Sequence, residues 1–423
     1  MLFSTLFKIT FSSLLHRKFT SFLCVISIAL SVALIIGVEK TREGAREGFT
    51  STVTGADLLV GARTGELQLL LYSLFHMGEA VNNIRYSSYQ DIANHRAVAW
   101  TIPFALGDSY NGNRVVGTNE NFFKHYRYRD GQNLEIADGR EFGNEIFEVV
   151  LGHQVARREN LRTGDQIIIA HGLSQTATLT HDNLPFEVVG ILGPTATPID
   201  HGLFVSLHAI EAIHIGWETG VPNPEKTQLA KSITKEDIEI SQITSFLVGA
   251  TNRVMTLQLR RMIAQYDREP LLAIIPALTL GRLWEVLGQA ERVLILISFC
   301  VLIVGMVSIL IALYTSLNER RREMAILRSV GASPFHLLSI LVLESLTLVS
   351  LGLAMGYGLL ASSTIWLIPY LEANYSLSLQ LSFLTAQDLK YVSIVILFGL
   401  FIGLIPGLKA YKQSVQDGLS VTT

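Results

Sequence analysis

Four long apolar segments, one near the N-terminus and three near the C-terminus, constrain this chain more than any other feature. The first runs from Phe19 to Val38 without a charge. At 1.5 Å per residue it spans about 30 Å, the hydrocarbon thickness of a bilayer. The second is Val293 to Leu317. The third runs from about Phe335 to Leu367, broken only by Glu344, and the fourth is Tyr391 to Leu408. Between the first and second lies residue range 39–290, which reads like an ordinary globular sequence. A soluble chain carries about 25% charged residues. This one carries 16%, with 49% hydrophobic, and the missing charge falls in the apolar segments. The expected fold is therefore a membrane α-helical protein with four transmembrane helices and a large extracytoplasmic α+β domain between the first two.

Basic residues in short loops set orientation. Lys8, Arg17 and Lys18 precede the first segment. Arg320, Arg321, Arg322 and Arg328 lie between the second and third, and Lys409 and Lys412 follow the fourth. The loop between the third and fourth has Glu372 and Asp388 against Lys390 alone. All of this places both termini in the cytoplasm. The expected organisation is a cytoplasmic tail (1–18), a first span (19–38), an outside domain (39–290), a second span (291–317) and a cytoplasmic helix (318–334). A third span (335–367), a short outside loop (368–390), a fourth span (391–408) and a cytoplasmic tail (409–423) complete it. The third apolar segment is longer than a straight span needs, so a tilted, kinked or interfacial end is expected. Trp366, Tyr370 and Tyr391 sit where interfacial aromatics belong. The first segment is too long for a signal-peptide core and ends in Ile-Ile-Gly-Val-Glu rather than a small-residue cleavage site, so it is expected to remain as a helix.

Both helices flanking the outside domain should extend beyond the bilayer. Glu39/Arg42 and Glu43/Arg46 are i,i+3 pairs that favour helix past the first span. On the return side Leu280, Leu287 and Leu294 fall seven apart. A helix from about 279 to 317 would be roughly 58 Å long, nearly twice the bilayer, giving a stalk. The alternative is that Leu280 to Leu287 belongs to a core helix of the soluble domain. Inside the domain, 56–60, 97–106, 114–117 and 243–248 read as strands, and 67–75 and 252–266 as helices. Short β-branched runs at 147–151, 166–170 and 185–192, with Gly/Asp turns, indicate a β-rich insertion near 147–215. Polar 216–236, with Pro222 and Pro224, reads as a loop.

Several chemistries have no motif here. There is no G-x-x-x-x-G-K-S/T phosphate loop, so ATP hydrolysis is not expected on this chain. H-E-x-x-H and G-x-S-x-G are absent, and the net charge of −3 leaves no nucleic-acid footprint. The two cysteines, Cys24 and Cys300, lie in apolar segments, so neither a disulfide framework nor a Cys-type zinc site is expected outside. The outside domain is rich in histidine, and His171, His181 and His201 are weak metal candidates beside Asp182 and Asp200. Their spacings match no compact site.

The segment between the second and third spans carries the strongest functional signal: Glu319, Arg320, Arg321, Arg322, Glu323, Met324, Ala325, Ile326, Leu327, Arg328, Ser329, Val330, Gly331. Its residues favour helix as far as Leu327, and Gly331 is a natural stop. Met324, Leu327 and Val330 recur at three-residue spacing, so a short amphipathic helix can dock on a partner. The simpler alternative is that the arginines only anchor the membrane edge.

The string E-R-R-R-E-M-A-I-L-R-S-V-G-A-S resembles the C-terminal domain of the MacB/FtsX/LolC family of ABC-transporter permeases. So does the following span, with Glu344 and the glycines Gly352, Gly356 and Gly358. The four-span layout is similar as well. The resemblance implies that two permease copies pair, identical or not, and that separate ATPase chains carry ATP and magnesium. Glu319 to Ala332 would meet that ATPase, and its closure would pass up the stalks by mechanotransmission. This chain itself would hold no cofactor. Its surroundings would be bacterial inner-membrane lipid, with a periplasmic adaptor or binding protein as a further partner. Glu344 is then expected to hydrogen-bond or pair helices rather than couple ions. Gly352 and Gly356 form a small-x-x-x-small pair for close packing. Two alternatives to export or extraction of an envelope substrate stand: an FtsX-like regulator of a periplasmic partner, and a zinc-acquisition permease.

Overall fold

The computed structural model describes residues 10–50, 52–143, 145–171, 184–216, 233–319, 326, 331–375 and 385–417. The chain divides into two compact units. One comprises Met1–Gly44, Leu287–Pro369 and Leu379–Thr423, the other Ala45–Val286 and Tyr370–Ser378.

Among the described residues four helices are long and apolar enough to cross a membrane. These are α1 (Lys18–Thr50), α2 (Pro276–Glu319), α3 (Pro334–Tyr375) and α4 (Ala386–Asp417). Each is longer than its apolar run. α1 continues through the charged residues after Val38 and past Gly44. α2 begins well before Val293, at Pro276, where the missing N–H of proline costs nothing.

The membrane unit packs through narrow stripes. Cys24, Ile28, Val32 and Ile36 recur every fourth residue on α1, and Leu302, Met306, Ile309 and Leu313 repeat at helical spacing on α2. They meet Leu341, Leu348, Val349 and Leu353 of α3 and Val395 and Ile402 of α4. The opposite faces are exposed apolar surface, as lipid solvation requires. Trp366, at 85% exposure, is the extreme case. Lipid tails are as apolar as leucine, so burial does not drive these helices together; close van der Waals approach does. Small residues provide it. A Cβ at Gly352 would lie 2.6 Å from Cγ2 of Ile28, and one at Gly356 would lie 2.8 Å from the carbonyl oxygen of Ala29. On α4, a Cβ at Gly399 would meet Val349 at 2.6 Å and one at Gly403 would meet Ser345 at 2.9 Å. The Ser345 hydroxyl donates to the Gly399 carbonyl at 2.7 Å, a direct bond from α3 to α4.

The other unit is α+β, built on one mixed eleven-stranded sheet. Its strands are β1 (Leu58–Ala62), β2 (Val98–Tyr110), β3 (Asn113–Thr118), β4 (Ile136–Gly139), β5 (Glu148–Leu151), β6 (Gln166–Ile167), β7 (Ala170–His171), β8 (Phe186–Leu192), β9 (Leu203–Ser206), β10 (Ser245–Ala250) and β11 (Leu271–Ile274). The order is β11-β1-β10-β2-β3-β9-β5-β8-β4, with β7 on β2 and β6 on β8. Two ladders are parallel, β3 with β9 and β5 with β8. Strands β1, β3, β5 and β9 are buried at nearly every residue. Both their faces are covered, so β1 and the centres of the other three are apolar on successive residues rather than alternating.

Strand β2 joins the two halves of the sheet. Its residues Val98 to Phe104 pair with β10, and Ala105 to Tyr110 pair with β3. The β-rich block beyond it has its own core, in which Val149, Leu151, Val155, Phe186, Val188 and Ile213 pack together. The β2–β3 hairpin turns on Asn111 and Gly112, both left-handed at φ +48° and +80°, the pairing that a two-residue turn between twisted strands demands. The helix Arg253–Ala264 starts at Asn252, whose side chain accepts the Met255 N–H at 3.0 Å.

Candidate functional site

The expected docking segment joins α2 to α3. Arg320, Arg321, Arg322, Glu323, Met324, Leu327 and Arg328 fall outside the described residues. Glu319 is the last residue of α2, and Ile326 is exposed. Gly331 is left-handed at φ +99°, a conformation that suits glycine, and it turns the chain into α3. The Ser333 N–H donates to Nδ1 of His336 at 3.0 Å, and Pro334 opens the helix behind this cap.

Side chains tie the bundle together at the same end. Glu344 is 3% exposed, and its Oε1 accepts the Ser13 hydroxyl at 2.9 Å. That bond joins α3 to the helical residues 10–16. The ammonium of Lys409 lies 4.1 Å from the centre of the Tyr314 ring, a cation–π contact that joins α4 to α2. Deeper in the bundle, Gly352 and Gly356 meet Ile28, Ala29 and Val32 of α1. Two polar contacts thus cross-link this part of the bundle, one from α3 to residues 10–16 and one from α4 to α2.

At the opposite end, α1 and α4 share a buried ion pair. Nζ of Lys40 lies 3.1 Å from Oδ2 of Asp388. The expected Glu39–Arg42 pair is present at 2.9 Å, and Arg42 also reaches Glu291 of α2 at 2.9 Å. The signal for this cluster stands in the sequence. Thr385-Ala386-Gln387-Asp388 before an apolar run is a capping-box pattern that fixes where α4 begins. Reading Asp388 only as a loop charge and Lys40 only as part of a solvated extension misses it. Gly399, Gly403 and Gly407, four apart on α4, are a second overlooked signal. They form a longer small-residue row than Gly352 and Gly356 do.

In the soluble unit Leu280 is buried among Leu69, Phe75 and Ile274. Leu287 and Leu294 are exposed. All three leucines stand on the one continuous helix α2. His181 lies outside the described residues, as does the side chain of His171. His201 is half-buried, and burial holds its pKa below the ordinary value. Asp200 beside it is committed elsewhere: its carboxylate accepts the Thr195 and Ala196 N–H groups at 2.9 and 2.8 Å and the Thr195 hydroxyl at 2.8 Å. Among the described residues no three His, Cys, Asp or Glu side chains group closely enough to hold a metal ion.

Two family models match the chain. Residues 21–251 match the MacB-like periplasmic core domain, and residues 295–415 match the FtsX-like permease C-terminal domain. The first alone covers more than half of the sequence. The chain belongs to the MacB/FtsX-type permease family, whose members are the permease components of ABC systems and work with an ATPase on a partner chain. Solved structures similar to the chain include a periplasmic region and an extracellular domain. The periplasmic region of MacB from Actinobacillus actinomycetemcomitans is 12% identical, with a TM-score of 0.35, over 55% of this chain and 94% of that one. The extracellular domain of the noncanonic ABC-type transporter YknZ from Gram-positive bacteria is also 12% identical, with a TM-score of 0.30, over 52% of this chain and 98% of that one. No curated protein matches the chain.

Proposed function

We propose that this chain is the transmembrane subunit of an ABC transporter that converts ATP hydrolysis on a separate ATPase chain into motion of its outside domain. The observation that carries the reading is the presence of both family segments on one chain. An FtsX-like permease part at 295–415 supplies the bundle, and a MacB-like core at 21–251 supplies the part beyond it. In this reading both termini face the cytoplasm of a bacterial cell and residues 39–290 face outwards. The basic residues around 17–18, 320–328 and 409–412 support that orientation.

Glu319 to Ala332 receives the ATPase. Met324 and Leu327 enter a groove on it, and Arg320, Arg321, Arg322 and Arg328 pair with its acidic rim. The bundle turns that input into movement of α1 and α2. Both helices run on beyond the charge-free spans, to Thr50 and back to Pro276. A second permease copy completes the assembly, and the cargo is an envelope substrate extracted or exported without crossing this bundle.

Arg321→Glu combined with Leu327→Asp tests the reading. The double variant should fold and insert normally yet lose co-purification with the ATPase chain that wild type recovers. Recovery at the wild-type level would remove the docking segment from the account.

A further inference from the structure

Three helices meet in a knot of charge at the end of the bundle away from residues 320–330. Lys40 of α1 is 5% exposed and Asp388 of α4 is 1% exposed. Besides pairing with Asp388, Nζ of Lys40 donates to the Thr385 hydroxyl at 3.2 Å. Oδ2 of Asp388 also accepts the Thr385 N–H at 2.8 Å, while the Thr385 oxygen accepts the Asp388 N–H at 3.3 Å. Asp388 thus caps α4 and neutralises Lys40 with the same oxygen. One turn away Arg42 bridges Glu39 and Glu291, which brings in α2.

This arrangement carries two costs for Lys40. The ammonium is out of water, and it faces a helix N-terminus, which carries partial positive charge. Asp388 is the nearest compensating charge, at 3.1 Å, with the exposed Glu43 carboxylate at 3.9 Å behind it. Separating two buried charges leaves each uncompensated unless water follows. Drawing α1 away from α4 therefore costs free energy until water reaches both groups.

We propose that the Lys40–Asp388 pair, with Arg42–Glu291 beside it, is a clamp that makes the outer ends of α1, α2 and α4 move as one body. The proposal rests on the reading of the chain as a driven permease. It assigns Lys40 and Asp388 a positioning role. The helices that run into the soluble unit's sequence, α1 and α2, would be displaced together rather than singly.

The test uses the full chain in lipid nanodiscs, with Cys24 and Cys300 replaced by alanine. Spin labels are placed at Thr41→Cys and Leu389→Cys, both exposed positions. Wild type should give one narrow distance distribution. Lys40→Met should broaden it and lower the melting temperature, because a buried carboxylate is left alone. Lys40→Met with Asp388→Asn removes both charges while the amide oxygen still caps α4. This double variant should regain most of the melting temperature yet keep the broad distribution. Stability and positioning would then be separated, which a purely structural pair does not allow. A distribution as narrow as wild type in either variant overturns the clamp. The distances are read without ATPase or nucleotide, so they stand apart from the co-purification result that tests the permease reading.

Discussion

His76 follows the helix Glu66–Leu74 in a left-handed conformation, φ +55°, and is half-buried near Arg114 and His201, with its Nδ1 out of solvent. Burial, reinforced by the positive charges of those two neighbours, lowers its pKa from 6.5 to about 3. The ring stays neutral in the fold but takes a proton in the unfolded chain below 6.5. The unfolded state then binds more protons, so stability is full above 6.5 and falls as pH drops from 6.5 towards 3. His201 and His208 are shifted the same way by burial and add to the slope. His76→Asn keeps a residue that tolerates the left-handed region and cannot titrate. Urea midpoints for the soluble unit at about pH 5 and about pH 7.5 should differ less in this variant than in wild type. An unchanged difference would mean that the ring is already protonated in the fold.

At the level of the helix, the glycine rows make a graded prediction. A Cβ at position 356 would press on a backbone carbonyl of α1 at 2.8 Å, and one at 352 on the Cβ of Ile28 at 2.7 Å; neither atom can rotate away. Gly358 has nothing within 4 Å. Gly356→Ala and Gly352→Ala should therefore each destabilise the bundle, by about 1–3 kcal/mol. Gly358→Ala should be neutral in detergent unfolding. Equal effects at all three positions would indicate that propensity rather than packing decides.

The same rows show what the sequence carries and what it does not. The four spans, the helical extensions past Val38 and before Val293, and the Asn252 cap are local patterns, legible in windows of a few residues. Lys40–Asp388 joins positions 348 residues apart. Each end reads locally as an ordinary surface charge, and only the fold makes them partners. The parallel ladders are hidden for the same reason. Val149 and Val188 look like any β-branched strand residues, and nothing local says that their strands run side by side.

For the molecule as a whole, the soluble unit encloses its own cores, and its first and last strands are neighbours. Leu59 faces Ile274 and Ala62 faces Leu271 across an antiparallel ladder. A fragment from Ala45 to Val286, which keeps Leu280 in its core, should therefore fold alone and unfold in one cooperative step by calorimetry and far-ultraviolet circular dichroism. Two separate transitions would place the β-rich block as an independent domain.

That β1–β11 ladder also sets how the domain responds to load. The chain reaches β1 from α1 at the Leu58 end and leaves β11 for α2 at the Ile274 end, and these ends are adjacent. Forces that draw the two attachments apart act on the ladder as on a zipper, one hydrogen bond at a time, the geometry of least mechanical resistance. Forces that push or pull both attachments in step place no tension across that ladder and reach the rest of the sheet through β1 and β10. The domain is thus stiff to synchronous strokes and fragile to discordant ones.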